Sequence, residues 1–201
     1  MDNDRCRFCG EASESSSHLL SGCKVLLAEG LYTDRHNRIC KYLHWTICKE
    51  YDIPVDKVWL HEPQPVTTNP TNETTIFYDH VIPAGRYILG SAVRPDIVIW
   101  DKANKNAKII DVSVPNDYGI NRAEREKVVK YQDLKNDIRE TWELQDVEVI
   151  PVIVGATGIL KNNLQNYLDS IPGKPNKYQA QTEALRGSIS IIKRALGSKF
   201  Q

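Results

Sequence analysis

Two aspartates, Asp96 and Asp111, are the residues of this sequence whose spacing points most directly to chemistry. Each belongs to an apolar, β-branched run, Arg94–Trp100 and Ile109–Val114, and the polar connector Asp101–Asn106 between them predicts a hairpin. Folding the chain about the middle of this connector sets Asp96 opposite Asp111. Directly opposed residues of an antiparallel pair have Cβ atoms about 5 Å apart on one face of the sheet.

Two carboxylates at this distance repel each other unless a cation lies between them or one of them is protonated. Hard divalent ions such as Mg²⁺ bind proteins through one or two carboxylates together with the phosphate of a substrate. The pair therefore predicts a metal-dependent site that cleaves phosphodiesters. The alternative is structural: Asp96 would only bracket a strand and Asp111 would satisfy a neighbouring amide, although an unpaired carboxylate inside an apolar strand is costly.

A nuclease of the D-x-K type would carry a lysine two residues after Asp111, but Ser113 takes that position. Cations recur on the next predicted helix, at Lys127 and Lys130, beside Tyr131. Lys127 and Tyr131 are four residues apart and share a helix face. If this helix packs beside the hairpin, a lysine there would stabilise charge on the reacting phosphate or position the attacking water. An exposed helical lysine is the alternative for each cation.

A second group, formed by Cys6, Cys9, His18 and Cys23, has the spacing C-x2-C-x8-H-x4-C. The Cys-x-x-Cys part lets two thiolates bind one ion from a tight turn, for which Gly10 supplies backbone freedom. Three sulfur atoms and one imidazole nitrogen form a closed tetrahedral shell, which is typical of a structural Zn²⁺ site. A redox pair of Cys6 and Cys9 is the alternative, but no strand precedes the motif as in thioredoxin-like sites.

A predicted helix over residues 28–51 begins with a basic cluster that contains Arg35, His36 and Arg38. Cations near a helix N-terminus suit a phosphate ligand. A solvated first turn explains the cluster equally well. Cys40 and Cys48 belong to the same helix and are expected to be buried thiols rather than metal ligands.

The composition limits the classes of protein that this chain can represent. Lysine plus arginine and aspartate plus glutamate number 26 each, which argues modestly against a nucleic-acid binder, although local patches of cations can still contact phosphate. No apolar run is long enough to span a bilayer, and the polar start of the chain does not resemble a signal peptide. Five cysteines, an odd number, favour an intracellular location over a disulfide framework.

The hydrophobic pattern predicts an α/β fold with a mixed central sheet flanked by helices, after the small Cys/His segment and a helix. Pro151 indicates a bulge or an edge position in the last strand. Residues 53–72 are rich in proline and predict an extended loop. Besides the hairpin, the predicted elements are strands Thr75–Val81 and Val147–Gly155 and helices 28–51, Asn121–Trp142, Ile159–Leu168 and Gln179–Leu196.

The order of these motifs resembles the carboxyl-terminal region of non-long-terminal-repeat retrotransposon reverse transcriptase polyproteins. That region carries a zinc knuckle followed by a restriction-like endonuclease of the PD-(D/E)xK type. The similarity covers nearly the whole chain, and each motif is weak alone while their joint order is specific. The motifs are C-x2-C-x8-H-x4-C, Arg35-His36-Asn37, Trp59-x2-His61-Glu62-Pro63, Arg94-Pro95-Asp96, Asp111–Pro115, Lys127-x3-Tyr131 and Val149–Leu160.

The resemblance implies an enzyme that nicks chromosomal target DNA, so that the free 3′ hydroxyl primes reverse transcription of the element's RNA. Asp96 and Asp111 would hold Mg²⁺ or Mn²⁺, and the family's lysine corresponds to Lys127 or Lys130, with Tyr131 assisting. The implied reaction is in-line attack of a metal-activated water on a phosphodiester.

The resemblance also implies a division of the chain into a CCHC zinc knuckle (1–27), a helical linker (28–52) and a restriction-like endonuclease domain (53–201). The knuckle, the cluster of Arg35, His36 and Arg38, and Arg94 would bind nucleic acid. Expected partners are the DNA target, the element RNA and the rest of the polyprotein, in the nucleus, with no membrane and no small-molecule substrate.

No reverse-transcriptase palm is present in the sequence, so the chain is expected to be part of a longer polyprotein or an orphan remnant of one. The alternative function is a catalytically inactive nucleic-acid-binding remnant. A scaffold protein built on a zinc-stabilised fold is a third possibility that the neutral net charge permits.

Overall fold

The computed structural model describes residues 4–59, 61–82 and 93–197, which form a mixed five-stranded sheet flanked by helices. This confirms the predicted α/β class. Residues 1–3, to which the expected polar start of the chain belongs, lie outside the described residues. Among the described helices none is long and apolar enough to cross a bilayer.

The strands are β1 Val66–Thr68, β2 Thr74–Tyr78, β3 Ile97–Asp101, β4 Asn106–Ser113 and β5 Asp146–Ile153. The helices are α1 Ser16–Ser21, α2 Lys24–Ala28, α3 Leu31–Glu50, α4 Ile120–Lys130, α5 Gln132–Thr141, α6 Leu164–Asp169 and α7 Lys177–Gly197, with one 3₁₀ turn at Asp117–Gly119. Four of the five described strands precede helix α4, and the last strand lies between helices α5 and α6.

The predicted hairpin is present and consists of β3 and β4. Ile97 pairs with Ile110 in antiparallel register, and continuing this register by one residue places Asp96 opposite Asp111, as predicted. The connector is closed by the Asp101 carboxylate, which accepts hydrogen bonds from the backbone and side-chain amides of Asn104 at 2.9 and 2.8 Å. Such a side-chain bond to a nearby backbone amide is a common way to close a turn.

Within the described residues, strand β5 lies at the edge of the sheet, where it pairs with β4 in parallel. Pro151 therefore lacks its N–H at a strand with a free edge, where a missing donor costs little. The predicted edge position of Pro151 is confirmed. The parallel pairing requires a crossover, which α4 and α5 supply.

Alternation along the strands divides the core into two layers. Ile99, Ile110 and similar residues pack against α3 and α7 on one face of the sheet. Val98 and Ile109 pack on the other face against Tyr131 and helix α5. Because side chains alternate along a strand, Asp111 lies on the same face as Ile109, beside Tyr131.

Helix α3 is a layer of this core and not the helical linker that was expected for residues 28–52. Ile39, Leu43 and Ile47 are fully buried in the same cluster as the strand residues. The predicted helix is confirmed, and its regularly spaced apolar residues pack against the sheet. The expected linker is therefore corrected to a structural element of the main fold.

Other boundaries differ from the prediction. The single helix expected over Asn121–Trp142 is two helices, α4 and α5, separated at Tyr131. Strand β1 forms inside the segment expected to be a loop, where it pairs with β2 as a hairpin. Helix α6 begins only at Leu164, because residues before it form a turn in which the Gly155 amide donates to the Ile159 carbonyl.

Helices α3 and α7 cross closely at Gly187. A Cβ added to Gly187 would lie 2.5 Å from Arg35 Cβ and 2.7 Å from Arg35 Cα. Because neither atom is the end of a flexible side chain, the helices would have to separate. This crossing fixes the start of α3 against the remainder of the fold.

We predict that Gly187→Ala destabilises the protein by about 1–3 kcal/mol, since an overpacked contact of this kind outweighs the better helix propensity of alanine. Gly197→Ala, in the same helix with no atom within 4 Å of the added Cβ, is the matched control and should be neutral or slightly stabilising. Urea unfolding measures both. Equal unfolding midpoints for the two variants would show that the crossing tolerates a side chain.

Candidate active site and metal-binding groups

Asp111 is the centre of the candidate active site. Only 2% of this residue is exposed, so its carboxylate needs compensation from nearby donors or cations. Lys127 Nζ is in contact with Oδ2, and the Tyr131 hydroxyl donates a hydrogen bond to Oδ1. Lys130 Nζ lies 3.8 Å from Oδ1. The sequence-predicted Asp111, Lys127 and Tyr131 are thus brought together.

Asp96 lies directly before β3, at the same end of the hairpin. Its Oδ2 accepts a hydrogen bond of 2.6 Å from the amide of Val112, the residue that follows Asp111. The same oxygen lies 3.1 Å from His36 Nε2. The structure therefore joins Asp96 to the Asp111 strand on one side and to helix α3 on the other.

The break between α4 and α5 distinguishes the two candidate lysines. Lys127 contacts the Asp111 carboxylate directly, whereas Lys130 Nζ donates to the Tyr131 hydroxyl at 2.8 Å. Burial, and then the adjacent Asp111 charge, raise the pKa of Tyr131. Tyr131 therefore keeps its proton and orients Asp111, and Lys127 is the lysine that the geometry favours.

His36 was predicted to meet phosphate, and the structure places it against Asp96 and Cys40. Burial opposes the charged imidazolium, but the Cys40 sulfur and the Asp96 carboxylate outweigh it, so the pKa of His36 is raised. The half-buried ring belongs to the candidate site.

The other predicted nucleic-acid contacts differ in exposure. Arg35 is 2% exposed, and its guanidinium donates to the carbonyls of Leu20 and Val114 and to Ser188 Oγ. It is not accessible to a phosphate, so its assignment to nucleic acid is corrected to a structural role. Arg38 is partly exposed and pairs with Glu183 at 3.2 Å, and Arg94 is exposed and pairs with Asp79 at 2.8 Å.

The four residues of the predicted zinc group come together. Their ligand atoms all lie within 4.8 Å of one another, with Cys6 Sγ and Cys23 Sγ 3.9 Å apart and Cys9 Sγ and His18 Nε2 3.3 Å apart. A tetrahedral Zn²⁺ shell requires about 3.8 Å between two sulfur atoms and about 3.6 Å between sulfur and nitrogen. The positions of these four ligand atoms fit a closed tetrahedral shell around one ion.

Local structure supports this arrangement of ligands. Gly10 adopts a φ of 67° after the Cys-x-x-Cys turn, as its position predicted. Backbone donation from Glu11, followed by Ala12 and His18, lowers the pKa of the Cys9 thiol to about 6, whereas burial raises the pKa of Cys23. Leu20 and Leu26 of α1 and α2 pack with Ile191 of α7, so the group is attached to the main fold.

Helix α3 carries a regular pattern of histidines and cysteines that the sequence-based predictions did not include. His36, Cys40, His44 and Cys48 recur every fourth residue, which places ligand-type side chains along one face of the helix. Cys40 and Cys48 are buried, as predicted. His36 lies against Asp96, and His44 Nδ1 lies 2.9 Å from His61 Nε2. The four-residue spacing is the feature of the sequence that could have predicted this pattern.

Asp96 and Asp111 are the residues expected to hold a hard divalent ion. Asp96 and Asp111 offer carboxylate oxygens, the ligands that Mg²⁺ and Mn²⁺ prefer. Asp111 Oδ2 makes no hydrogen bond with the described part of the chain and faces only the Lys127 cation. A divalent ion at this buried oxygen would have to share or displace the Lys127 contact.

Comparison with protein-family models found no family that matches this sequence, and comparison with curated proteins found no match. The function is therefore inferred from the chemistry of the residues described above.

We predict that the protein purified without chelator contains zinc and that Cys9→Ser lowers its zinc content by about one equivalent, because a structural Zn²⁺ site needs all four ligands. Metal analysis by mass spectrometry measures the ratio of zinc to protein. Cys48→Ser, which also removes a buried thiol, is the control and should keep the parent's content. A parent protein with a ratio near zero would contradict the assignment.

We also predict a contribution of His44 to acid unfolding. Burial, and then the neighbouring His61, lower the pKa of His44 from 6.5 to about 4. The unfolded chain therefore binds a proton that the folded chain does not, so this part of the stability is complete above the unfolded pKa and is lost as the pH decreases toward the folded pKa. The difference corresponds to about 3 kcal/mol.

Urea unfolding at neutral pH and at a pH near that of the folded group measures this loss, and His44→Asn should make stability less dependent on pH. NMR titration of the imidazole gives the pKa directly. An unchanged pH dependence in His44→Asn, with a titration near 6.5, would contradict the prediction.

Proposed function

We propose that the protein is a metal-dependent DNA endonuclease that nicks its target by hydrolysis of a phosphodiester. The observation that carries this proposal is the buried Asp111 carboxylate held by Lys127 and Tyr131, opposite Asp96 at one end of the hairpin. Two carboxylates at one end of the hairpin, one of them paired with a lysine, suit phosphoryl chemistry because they combine ligands for a divalent ion with a cation for the phosphate.

The two aspartates would hold Mg²⁺ or Mn²⁺, which when bound polarises a phosphate oxygen and lowers the pKa of water. The chain's own residues determine the position of these ligands. The Tyr131 hydroxyl holds one oxygen of Asp111 in place, and the Val112 amide holds one oxygen of Asp96. Fixed carboxylates reduce the reorganisation required during the reaction.

Lys127 supplies the positive charge of the site. Its Nζ contacts Asp111, and its side chain is 23% exposed, so a phosphate that reaches this carboxylate also meets the ammonium group. Charge that develops on the phosphate in the transition state is stabilised by a positioned cation. Lys130 is half exposed and acts through Tyr131, to which it donates.

A pure nucleic-acid binder is a weaker interpretation of the same residues. Two adjacent carboxylates repel the phosphate backbone, and a binder gains nothing from burying one of them. Exposed cations near the site, Arg94 and Lys130, are available for backbone contacts that position DNA. With a neutral net charge, such local contacts must provide the electrostatic attraction.

The Cys6, Cys9, His18 and Cys23 group contributes to this function as a structural zinc site. Its four protein ligands leave no open coordination position, unlike a catalytic zinc site. We extend the proposal to the biological setting that the motifs suggest: nicking of chromosomal DNA in the nucleus by part of a non-long-terminal-repeat retrotransposon polyprotein, whose remaining parts and RNA are its partners.

We predict that the protein nicks supercoiled plasmid in Mg²⁺ or Mn²⁺ and that Asp111→Asn lowers the rate by at least about 100-fold, since it removes a charged ligand at almost unchanged volume. Gel electrophoresis of the nicked plasmid measures the rate. A parent protein that binds DNA but never nicks it in either ion would support the inactive remnant and contradict the enzyme.

Lysine variants test the geometry within the same assay. Lys127→Ala should reduce nicking by about 100-fold or more, whereas Lys130→Ala should have a smaller effect because Lys130 reaches the carboxylate only through Tyr131. Tyr131→Phe, which keeps the buried ring, isolates the contribution of the hydroxyl. A larger loss for Lys130→Ala than for Lys127→Ala would reverse the assignment.

A further inference from the structure

We propose that His36, Cys40 and Asp96 form a second metal site, selective for a borderline-soft divalent ion such as Zn²⁺ or Co²⁺. The ligand atoms of these three residues lie within 4.8 Å of one another. This binding proposal does not depend on nuclease activity, although the site shares Asp96 with the proposed catalytic pair.

The distances between the ligand atoms fit one ion. His36 Nε2 lies 3.1 Å from Asp96 Oδ2, and Cys40 Sγ lies 3.8 Å from His36 Nε2. A tetrahedral ion with ordinary bond lengths requires about 3.3 Å between nitrogen and oxygen and about 3.6 Å between sulfur and nitrogen. These two distances lie within a few tenths of an ångström of the required values, and the three ligands leave a fourth position for water.

The fold holds these ligands in place. His36 and Cys40 are four residues apart on α3 and therefore lie one above the other on the same helix face. Asp96 is fixed from the sheet by the 2.6 Å bond from the Val112 amide. Because α3 packs on the sheet through a fully buried core, the three residues are positioned without a metal.

The donor set determines which ions the site selects. One sulfur, one imidazole nitrogen and one carboxylate oxygen suit Zn²⁺ or Co²⁺, whereas Mg²⁺ takes oxygen ligands almost alone. Cys40 is 2% exposed, and its surroundings separate the sulfur from bulk solvent. We infer that the site formed by Asp96 with His36 and Cys40 discriminates against Mg²⁺, whereas the pair of Asp96 and Asp111 favours it.

The second His/Cys pair of α3 provides an internal comparison. His44 and Cys48 have the same four-residue spacing, with Cys48 Sγ 3.6 Å from His44 Nδ1. Among the residues that the structure describes, however, no third ligand atom joins this pair within 4.8 Å of both. Cys40 and Cys48 are both buried thiols of one helix, so loss of either has a similar effect on the core.

The test counts metal ions in the full chain. The protein is equilibrated with Co²⁺ in place of Zn²⁺, the bound metal is measured per chain, and thiolate-to-Co²⁺ charge-transfer absorption is recorded. The parent should bind about two equivalents, one at each candidate site. Cys40→Ser and His36→Gln should each bind about one, and Cys48→Ser should bind as many as the parent.

Absorption provides a second readout. Cys40→Ser should lose about a quarter of the thiolate charge-transfer intensity, because three of four coordinating sulfur atoms remain. Circular dichroism reports whether each variant is folded, and His36→Gln, whose side chain is partly exposed, tests the same site with little effect on the core. One bound equivalent in the parent, or parent-like binding by both ligand variants, would overturn the proposal.

The outcome is separable from that of the nuclease proposal. Two bound equivalents in the Co²⁺ experiment, with no Mg²⁺- or Mn²⁺-dependent nicking by protein that carries only one equivalent of Zn²⁺, would support this site and reject the enzyme. If both proposals hold, low concentrations of Zn²⁺ should inhibit Mg²⁺-dependent nicking, since the two ions compete for Asp96. His36→Gln should weaken that inhibition by about tenfold or more.

Discussion

The compensation of one buried carboxylate organises the candidate site. Asp111 lies inside an apolar strand, where an isolated charge would cost several kcal/mol. The chain provides Lys127 on one oxygen and the Tyr131 hydroxyl on the other. Both donors come from one short segment, because the helix that carries Lys127 ends where Tyr131 turns into the core. The division of the predicted helix is therefore the feature that presents both groups to Asp111.

Helix α3 connects the other parts of the molecule. Its apolar face covers the sheet, and Arg35 at its start bonds to the carbonyls of Leu20 and Val114. The close crossing at Gly187 fixes the same turn against α7. One turn of α3 thus joins the Cys/His segment, the end of β4 and the last helix, and it places His36 against Asp96.

The sequence determined the elements whose signals are local or periodic. The apolar runs and polar connector defined the β3–β4 hairpin and its register, because side chains alternate strictly along paired strands. The Cys-x-x-Cys turn, Gly10 and the later His18 and Cys23 defined the first metal group, since its ligands lie close together along the chain. The edge position of β5 followed from Pro151, which cannot donate to a neighbouring strand.

The tertiary structure decided the features that depend on contacts between distant residues. From the helical periodicity alone, Lys127 and Lys130 were equal candidates for the catalytic lysine. The turn at Tyr131 distinguishes them, because it leaves Lys127 in contact with Asp111 and Lys130 in contact with the Tyr131 hydroxyl. Arg35 and His36 are adjacent in sequence, yet packing buries the first among carbonyls and directs the second to Asp96, 60 residues away. A sequence specifies which groups are charged, whereas burial and partner distance, which fix their chemistry, arise only when separate elements pack together.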